Sequence, residues 1–467
     1  MKRWIGDPYA LCVVAVFLLS RAILRILLGM VFDTSSLIWA WQLLDPVWLK
    51  DDLFRSLWYL HMQPPLFNLL TAVALRLPFP DLFLDTLFLT LGLATSLVLY
   101  RLGLALGLKR LFSAVLVVVA FVLNPSSILY ETWYFYTYPV LFLTSLFSLL
   151  LIRTSRRISL AGLLGALSVL TLLTLIRASY HIVLFLIVAL PLVWYHVGRW
   201  RTVLAATLIA GSPALAWYMK NYALFGTFSA TSWTGMNLFR MLWNMRGWDE
   251  SRFRRLKEEG LVSPLMTVRP FAPPDVYISI LGYDRRTGVP SLDSTVKPTV
   301  GTYNYNHSVY PTVSRILLRD NLRLFLRYPW AYARSVLSAF KIFTYPPYAY
   351  VYGPLHLLFY EGNMRTFKSL KVWIRTYDLL YGWLGKGFPG LTVLLLLLSF
   401  IYTLPRLLKS PGTGTLSLFL IYLIVVHTTF ERRENMRFRF QFEPVLVVLV
   451  VASLLKRRSK TALPPSS

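Results

Sequence analysis

The strongest constraint on this chain is the spacing of its apolar runs. Stretches such as residues 391–404, LTVLLLLLSFIYTL, carry no charge at all, and short clusters of lysine and arginine separate such runs along most of the sequence. A helix that crosses a bilayer needs about 20 predominantly apolar residues. Lipid offers no hydrogen bonds to a bare backbone, so runs of this kind are viable there as helices. Composition agrees. Only 15% of the 467 residues are charged and 56% are hydrophobic, with mean hydropathy +0.56, whereas a soluble domain has about a quarter of its residues charged. The expected fold class is an all-α polytopic membrane protein. It would be a bundle of about 10 transmembrane helices with amphipathic juxtamembrane helices and an extracytoplasmic loop region.

Orientation follows from the basic clusters. Lys2 and Arg3 precede the first run, residues 9–31, which Arg21 and Arg25 interrupt. No small-residue cleavage site follows it, so it reads as a retained signal-anchor with its N-terminus in the cytoplasm. The apolar stretch after Pro64-Pro65 is too short to cross, and reads as an interfacial helix with proline in its first turn. Keeping it outside brings the rest into register. The runs 84–107, 111–123, 139–152, 158–176, 182–195 and 203–219 then alternate, as do 391–404, 415–426 and 444–455. Lys109-Arg110, Arg153 to Arg157, Arg199 and Arg201, Arg406 and Lys409, and Lys456 to Lys460 all fall inside, as the positive-inside rule requires. The expectation is a multi-pass protein of the plasma (inner) membrane with both termini cytoplasmic and a disordered tail over residues 462–467. The same rule accounts for most of the +27 net charge, together with attraction to anionic headgroups. No basic stripe on a separate soluble domain argues for nucleic acid.

The chain divides by composition into an N-terminal membrane module, 1–219, with an outer loop at 32–83, an extracytoplasmic, mostly helical region, 220–387, and C-terminal membrane helices with a tail, 388–467. Within the middle region residues 313–326 read as helix. Residues 330–343 and the tyrosine-rich stretch TYPPYAYVYGP are interfacial or hide further spans. Cys12 is the single cysteine, so neither an intramolecular disulfide nor a cysteine-based metal site is available.

Three loops now share the outer face. The first holds Asp33, Asp45, Asp51, Asp52 and His61; the second, NPSSILYETWYFYTY, holds Glu131; the third, HTTFERRENMRFRFQ, holds Glu431, Arg432, Arg433, Glu434, Arg437 and Arg439. Charges near a membrane core are costly and gather where function or water tolerates them. Arginine forks bind phosphate oxygens, and a carboxylate takes a proton from an attacking hydroxyl. Acids beside arginines at the mouth of an apolar bundle therefore suit sugar transfer from a polyprenyl-phosphate donor to an acceptor hydroxyl, with in-line attack and inversion. Charge growing on the departing phosphate would be met by the arginines.

The layout resembles the GT-C fold glycosyltransferases, in particular the branch of protein O-mannosyltransferases and aminoarabinose transferases. There an acid directly follows the first span, and a histidine–diproline segment comes about thirty residues later. Here Asp33 occupies the first place, and His61-Met62-Gln63-Pro64-Pro65-Leu66-Phe67 the second, 28 residues on. An Asn/Ser-Pro step followed by another acid is matched by Asn124-Pro125 and Glu131, and a late acid-to-arginine segment by Glu434-Asn435-Met436-Arg437-Phe438-Arg439. Many relatives carry Asp-Glu at the first site, where this chain has Asp33-Thr34, and Met62 and Gln63 separate its histidine from the prolines. The likeness covers both ends of the chain and hardly touches the middle region, 220–387. It implies Asp33 as base, with Asp51 and Asp52 left open. The expected site has Glu131 as a second catalytic acid and Asp52, His61, Arg177, Glu434, Arg437 and Arg439 around the substrate.

Each residue also has a plainer reading. Asp33 can end the first helix; Asp45 before Pro46 suits a turn; Asp51-Asp52 suit a helix start, yet stay open as bases. His61 can be a lone interfacial histidine, Glu131 a paired structural acid, and Arg437 and Arg439 snorkelling cations. Arg177 and His181 repeat that pattern more weakly. Acids and His61 could hold a divalent metal, but no ligand spacing such as His-Glu-x-x-His occurs, so no metal or other cofactor is expected. The acceptor would be a protein, a lipid or a glycan, and the bilayer itself is a partner. The competing function is a polytopic transporter or lipid flippase, for which inverted repeats, broken helices and mid-bundle charges would speak. A non-catalytic scaffold would leave the acids and arginines scattered.

Overall fold

A computed structural model describes residues 6–243, 245–349, 368–385 and 388–461. Lys2 and Arg3, part of the tyrosine-rich stretch and the tail at 462–467 lie outside the described residues. Those described are helical, and their only β-pairing is three isolated bridges.

Helices form where the apolar runs predict them. Five are long and apolar enough to cross a bilayer: Pro8–Leu27, Pro80–Ala105, Thr137–Thr154, Val197–Phe225 and Pro411–Thr429. A sixth results if Arg110–Val122 and Pro125–Glu131, bent by 59°, count as one span. Leu160–Ile176, Val183–Tyr195 and Leu391–Leu407 are apolar but shorter. Glu443–Thr461 follows as the last helix, with Lys456 in its C-terminal part. Length and composition thus account for five or six of the expected ten spans. The bend after residue 122 has a local cause. A π-turn over Val118–Val122 loosens the helix, Asn124 then caps the next one by accepting from Ser126 N at 2.9 Å, and Pro125 sits in its first turn.

Pro65–Leu75 is a separate helix of 11 residues with Pro64 at its N-cap, as the short apolar stretch predicts. Trp200–Phe225 continues past the expected boundary at residue 219 and stops only at Gly226, whose φ of 66° gives the left-handed turn that ends it. That boundary therefore falls inside a helix.

Two cores organise the molecule. The larger one fills the bundle, where Pro80–Ala105 and Leu160–Ile176 both pack on Thr137–Thr154. The second joins Leu44, Leu49, Leu60 and Met62 of the first loop to Trp233, Met236, Phe239, Phe253, Tyr305, Tyr310 and Val313. The later part of the first loop thus belongs in space with the middle region of the chain. Here Thr234–Leu242 crosses Val309–Arg327 closely enough that a side chain at Gly235 would meet the Ser314 carbonyl.

The ends of the bundle differ in charge. Arg101, Arg153 and Arg156 act on one another electrostatically where Pro80–Ala105 and Thr137–Thr154 end, and Lys456 lies against Gly107 beside them. The three acid-bearing loops meet at the opposite end, around residues 132–137.

Candidate functional site

The hub is the short segment from Thr132 to Thr137, which links the helices Pro125–Glu131 and Thr137–Thr154. The first loop joins it through main-chain bonds. Asp33 N donates to Thr132 O at 2.8 Å, Tyr134 N donates to Asp33 O at 2.9 Å, and Ser36 Oγ donates to Tyr134 O. The helix Pro65–Leu75 joins through Thr71 Oγ1 and Tyr134 Oη, 2.7 Å apart. The third loop joins from the other side, where Arg437 Nη1 donates to Thr137 Oγ1 at 3.0 Å and its guanidinium lies 4.8 Å from the Phe135 ring. Between Tyr134 and Thr137 the chain can span at most about 11 Å. Asp33 and Arg437 are therefore close neighbours on one short strip of backbone.

Asp33 is buried. Its Oδ1 accepts from Ser35 N at 2.8 Å, and its Oδ2 is buried with no partner among the described residues. A carboxylate oxygen left so is costly unless something else meets it. The aromatic strip Trp39, Trp133 and Phe135 stacks beside it.

Arg177 and Arg437 flank Tyr136 and Phe438. Arg177 lies 4.0 Å over the Phe438 ring and 4.8 Å over Tyr136; Arg437 lies 4.8 Å over Phe438 and 5.5 Å over Tyr136. Arg177 is buried, and its Nε donates to Ser179 Oγ at 2.8 Å. Burial and the neighbouring Arg437 both work against its charge. Glu434 pairs with Arg437 and, at 3.5 Å, with Arg240, which also lies 3.4 Å from Glu431. Burial opposes ionisation of both acids. At Glu434 the cations Arg437 and Arg240 outweigh it and hold the pKa below its ordinary value, whereas at Glu431 burial prevails and raises it. With Arg433 beside them, four guanidiniums face two carboxylates, and Arg432 lies against Arg433. The backbone is strained here, because Arg433 has φ 143°, where a side chain is unfavourable. Such a cluster attracts an anion with planar, hydrogen-bond-accepting oxygens.

The other expected site residues have different tasks. Both Glu131 oxygens are taken. Arg21 donates Nε to Oε1 at 3.0 Å and Nη2 to Oε2 at 2.9 Å, and Tyr138 Oη donates to Oε2 at 2.9 Å. Gly92 makes room for this, since a Cβ there would stand 2.5 Å from Glu131 Oε2. Glu131 lies one residue from the hub but is committed to an ion pair, not directed at a substrate. Arg439 is equally committed. Its Nε donates to Glu443 Oε2 at 3.1 Å, and its other nitrogens to the carbonyls of Phe343 and Tyr345.

His61 lies elsewhere, in the second core. Its Nε2 is 2.9 Å from the Asn306 carbonyl, which only accepts, so Nε2 carries the proton and Nδ1 accepts from Ser232 Oγ at 2.7 Å. Burial pushes its pKa down to about 3, and Lys220 adds to that. Among the described residues no carboxylate bonds to it, and its bonds to Ser232 and Asn306 make this expected substrate-side residue a buried strut. Asp52 is exposed at the start of Leu53–Trp58. Asp45 caps Pro46–Asp51 and accepts from Thr299 N at 2.8 Å and Thr299 Oγ1 at 2.7 Å.

Sequence reasoning passed over Arg21, Arg240 and His427 as site-forming groups. Arg21 carried a signal, because a charge inside an apolar helix demands a partner. A groove of about 590 Å³, lined by Trp243, Glu250, Arg269 and Val276 among others, contains none of the candidate residues. Among the described residues no group of three His, Cys, Asp or Glu side chains could hold a metal ion. No family model, curated protein or solved structure matches this chain.

Proposed function

We propose that this protein is a membrane glycosyltransferase, moving a sugar from a polyprenyl-phosphate donor to an acceptor hydroxyl on the extracytoplasmic side of the plasma membrane. The observation that carries the reading is the buried, unpartnered Oδ2 of Asp33 on the same backbone strip that holds Arg437. Its likeness to GT-C enzymes, in the order and spacing of Asp33, Asn124-Pro125 and Glu434 to Arg439, supports it.

In this reading Asp33 Oδ2 takes the proton of the acceptor hydroxyl as its oxygen attacks the anomeric carbon. The bond to the phosphate oxygen breaks on the opposite face, giving inversion. The electron pair leaves with the lipid phosphate, whose charge meets Arg177 and Arg437. Arg240, Glu431 and Glu434 orient Arg437, and the Arg21–Glu131 pair fixes the segment that carries the hub. Apolar bundle walls hold the prenyl chain. The acceptor class, whether protein, lipid or glycan, is left to the middle region.

The test is incubation of purified protein with a panel of polyprenyl-phosphate sugars and candidate acceptors. Sugar transfer by the wild type, lost in Asp33→Asn, is expected. Transfer by neither protein, or undiminished transfer by the variant, would overturn the assignment.

A further inference from the structure

The chain's buried histidines are treated differently. His61 has both ring nitrogens satisfied, by Ser232 and Asn306. His427, in the last turn of Pro411–Thr429, is 1% exposed and has a partner among the described residues at neither Nδ1 nor Nε2. A buried ring nitrogen without a hydrogen bond is destabilising, so such a group calls for a ligand. The imidazole is held in place. Its ring packs 5.2 Å from Phe438 and 6.0 Å from Phe442, and Asn435 Nδ2 donates to the His427 carbonyl at 2.6 Å. Phe438 is the ring that also carries Arg177 and Arg437, and both arginines act on His427 electrostatically. Arg177 has a protein acceptor at Nε, from Ser179, and none at its terminal nitrogens among the described residues.

We propose that His427 lines the anion site with Arg177 and Arg437, its neutral ring donating one N–H to a phosphate oxygen of a prenyl phosphate headgroup. The inference rests on the reading above only in placing a lipid phosphate between the arginines. His427 there is a binding residue that supplies a neutral donor beside two cations. It adds direction to the site without adding repulsion between like charges. Two guanidiniums alone would accept a phosphate in several orientations, whereas a third donor fixes which oxygen points toward the sugar.

The experiment uses full-length protein in detergent with farnesyl phosphate as the probe, followed by ³¹P NMR and by the unfolding midpoint. Inorganic phosphate is the second probe and separates headgroup from tail. His427→Phe keeps a ring of similar shape without a donor, and His427→Gln keeps an N–H donor. Farnesyl phosphate affinity is expected to fall about tenfold or more in His427→Phe and to stay within about threefold in His427→Gln, the size of one hydrogen bond to a charged group. Inorganic phosphate should show the same ratio between variants at weaker affinity. Unchanged affinity in His427→Phe, equal loss in both variants, or no binding by the wild type would overturn the proposal. His427-dependent binding without any sugar transfer would leave this inference standing and remove the transferase reading. Transfer that ignores His427→Phe would do the reverse.

Discussion

Arg21 and Glu131 stand 110 residues apart in the sequence and meet as a buried pair, Nη2 to Oε2 at 2.9 Å. Breaking one side of such a pair leaves an uncompensated charge and costs about 3–5 kcal/mol, whereas replacing both by apolar groups is often neutral. Glu131→Ala should therefore lower the unfolding midpoint in detergent sharply. The double variant Arg21→Met with Glu131→Leu should recover most of it. A Glu131→Ala protein as stable as the wild type but unable to transfer sugar would return Glu131 to the chemistry.

This pair also marks how far the sequence could be read. Helix positions were legible because apolar runs, Pro64-Pro65 and the Asn124-Pro125 cap are local signals. The meeting of the three loops was legible too, through the alternation of basic clusters, since Asp33, Arg437 and the segment 132–137 do come together. Partnerships were not. Nothing local tells Glu131 that its cation is Arg21, or tells His61 that it will sit between Ser232 and Asn306, because those contacts depend on how distant helices pack. The second core was no more legible: Leu44, Leu49, Leu60 and Met62 join a core built mostly from residues beyond 230.

His61 sets a pH dependence on stability. Its folded pKa is pushed from 6.5 down to about 3 by burial, so between those values the unfolded chain binds a proton that the folded one does not. Stability therefore rises with pH across that window. The contribution is complete above pH 6.5 and is lost as pH falls toward 3. Unfolding midpoints measured across this range should decline on the acid side for the wild type. They should decline less steeply for His61→Asn, which starts lower because the Ser232 and Asn306 contacts are weakened. Equal slopes in the two proteins would remove His61 from the acid limb.

Arg437 and Arg439 are two residues apart and face different tasks. Arg439 spends its nitrogens on Glu443, Phe343 and Tyr345, so Arg439→Lys should lower stability without a specific effect on donor KM. Arg437 lies against Phe135, Tyr136 and Phe438 beside Arg177, where a planar fork can stack and still reach a phosphate. Arg437→Lys keeps the charge and loses the fork. The expectation is a donor KM raised about tenfold, with a smaller change in the unfolding midpoint, as one charge-assisted hydrogen bond is worth about 1.5–3 kcal/mol. Steady-state kinetics over donor concentration, run beside thermal unfolding, separates the two residues.

Asp33→Asn is the sharpest single substitution. Asparagine keeps an Oδ1 that can accept from Ser35 N, and the main-chain bonds to Thr132 and Tyr134 do not involve the side chain. The fold and the unfolding midpoint should therefore change little. The amide that replaces Oδ2 cannot take a proton from an attacking hydroxyl. General-base catalysis is worth about 10²–10⁴ in rate, so kcat should fall by that order while donor binding, read by prenyl phosphate titration, stays near the wild type. A variant that unfolds easily, or one that retains transfer, would show that the unpartnered oxygen of Asp33 serves the fold and that the base lies elsewhere.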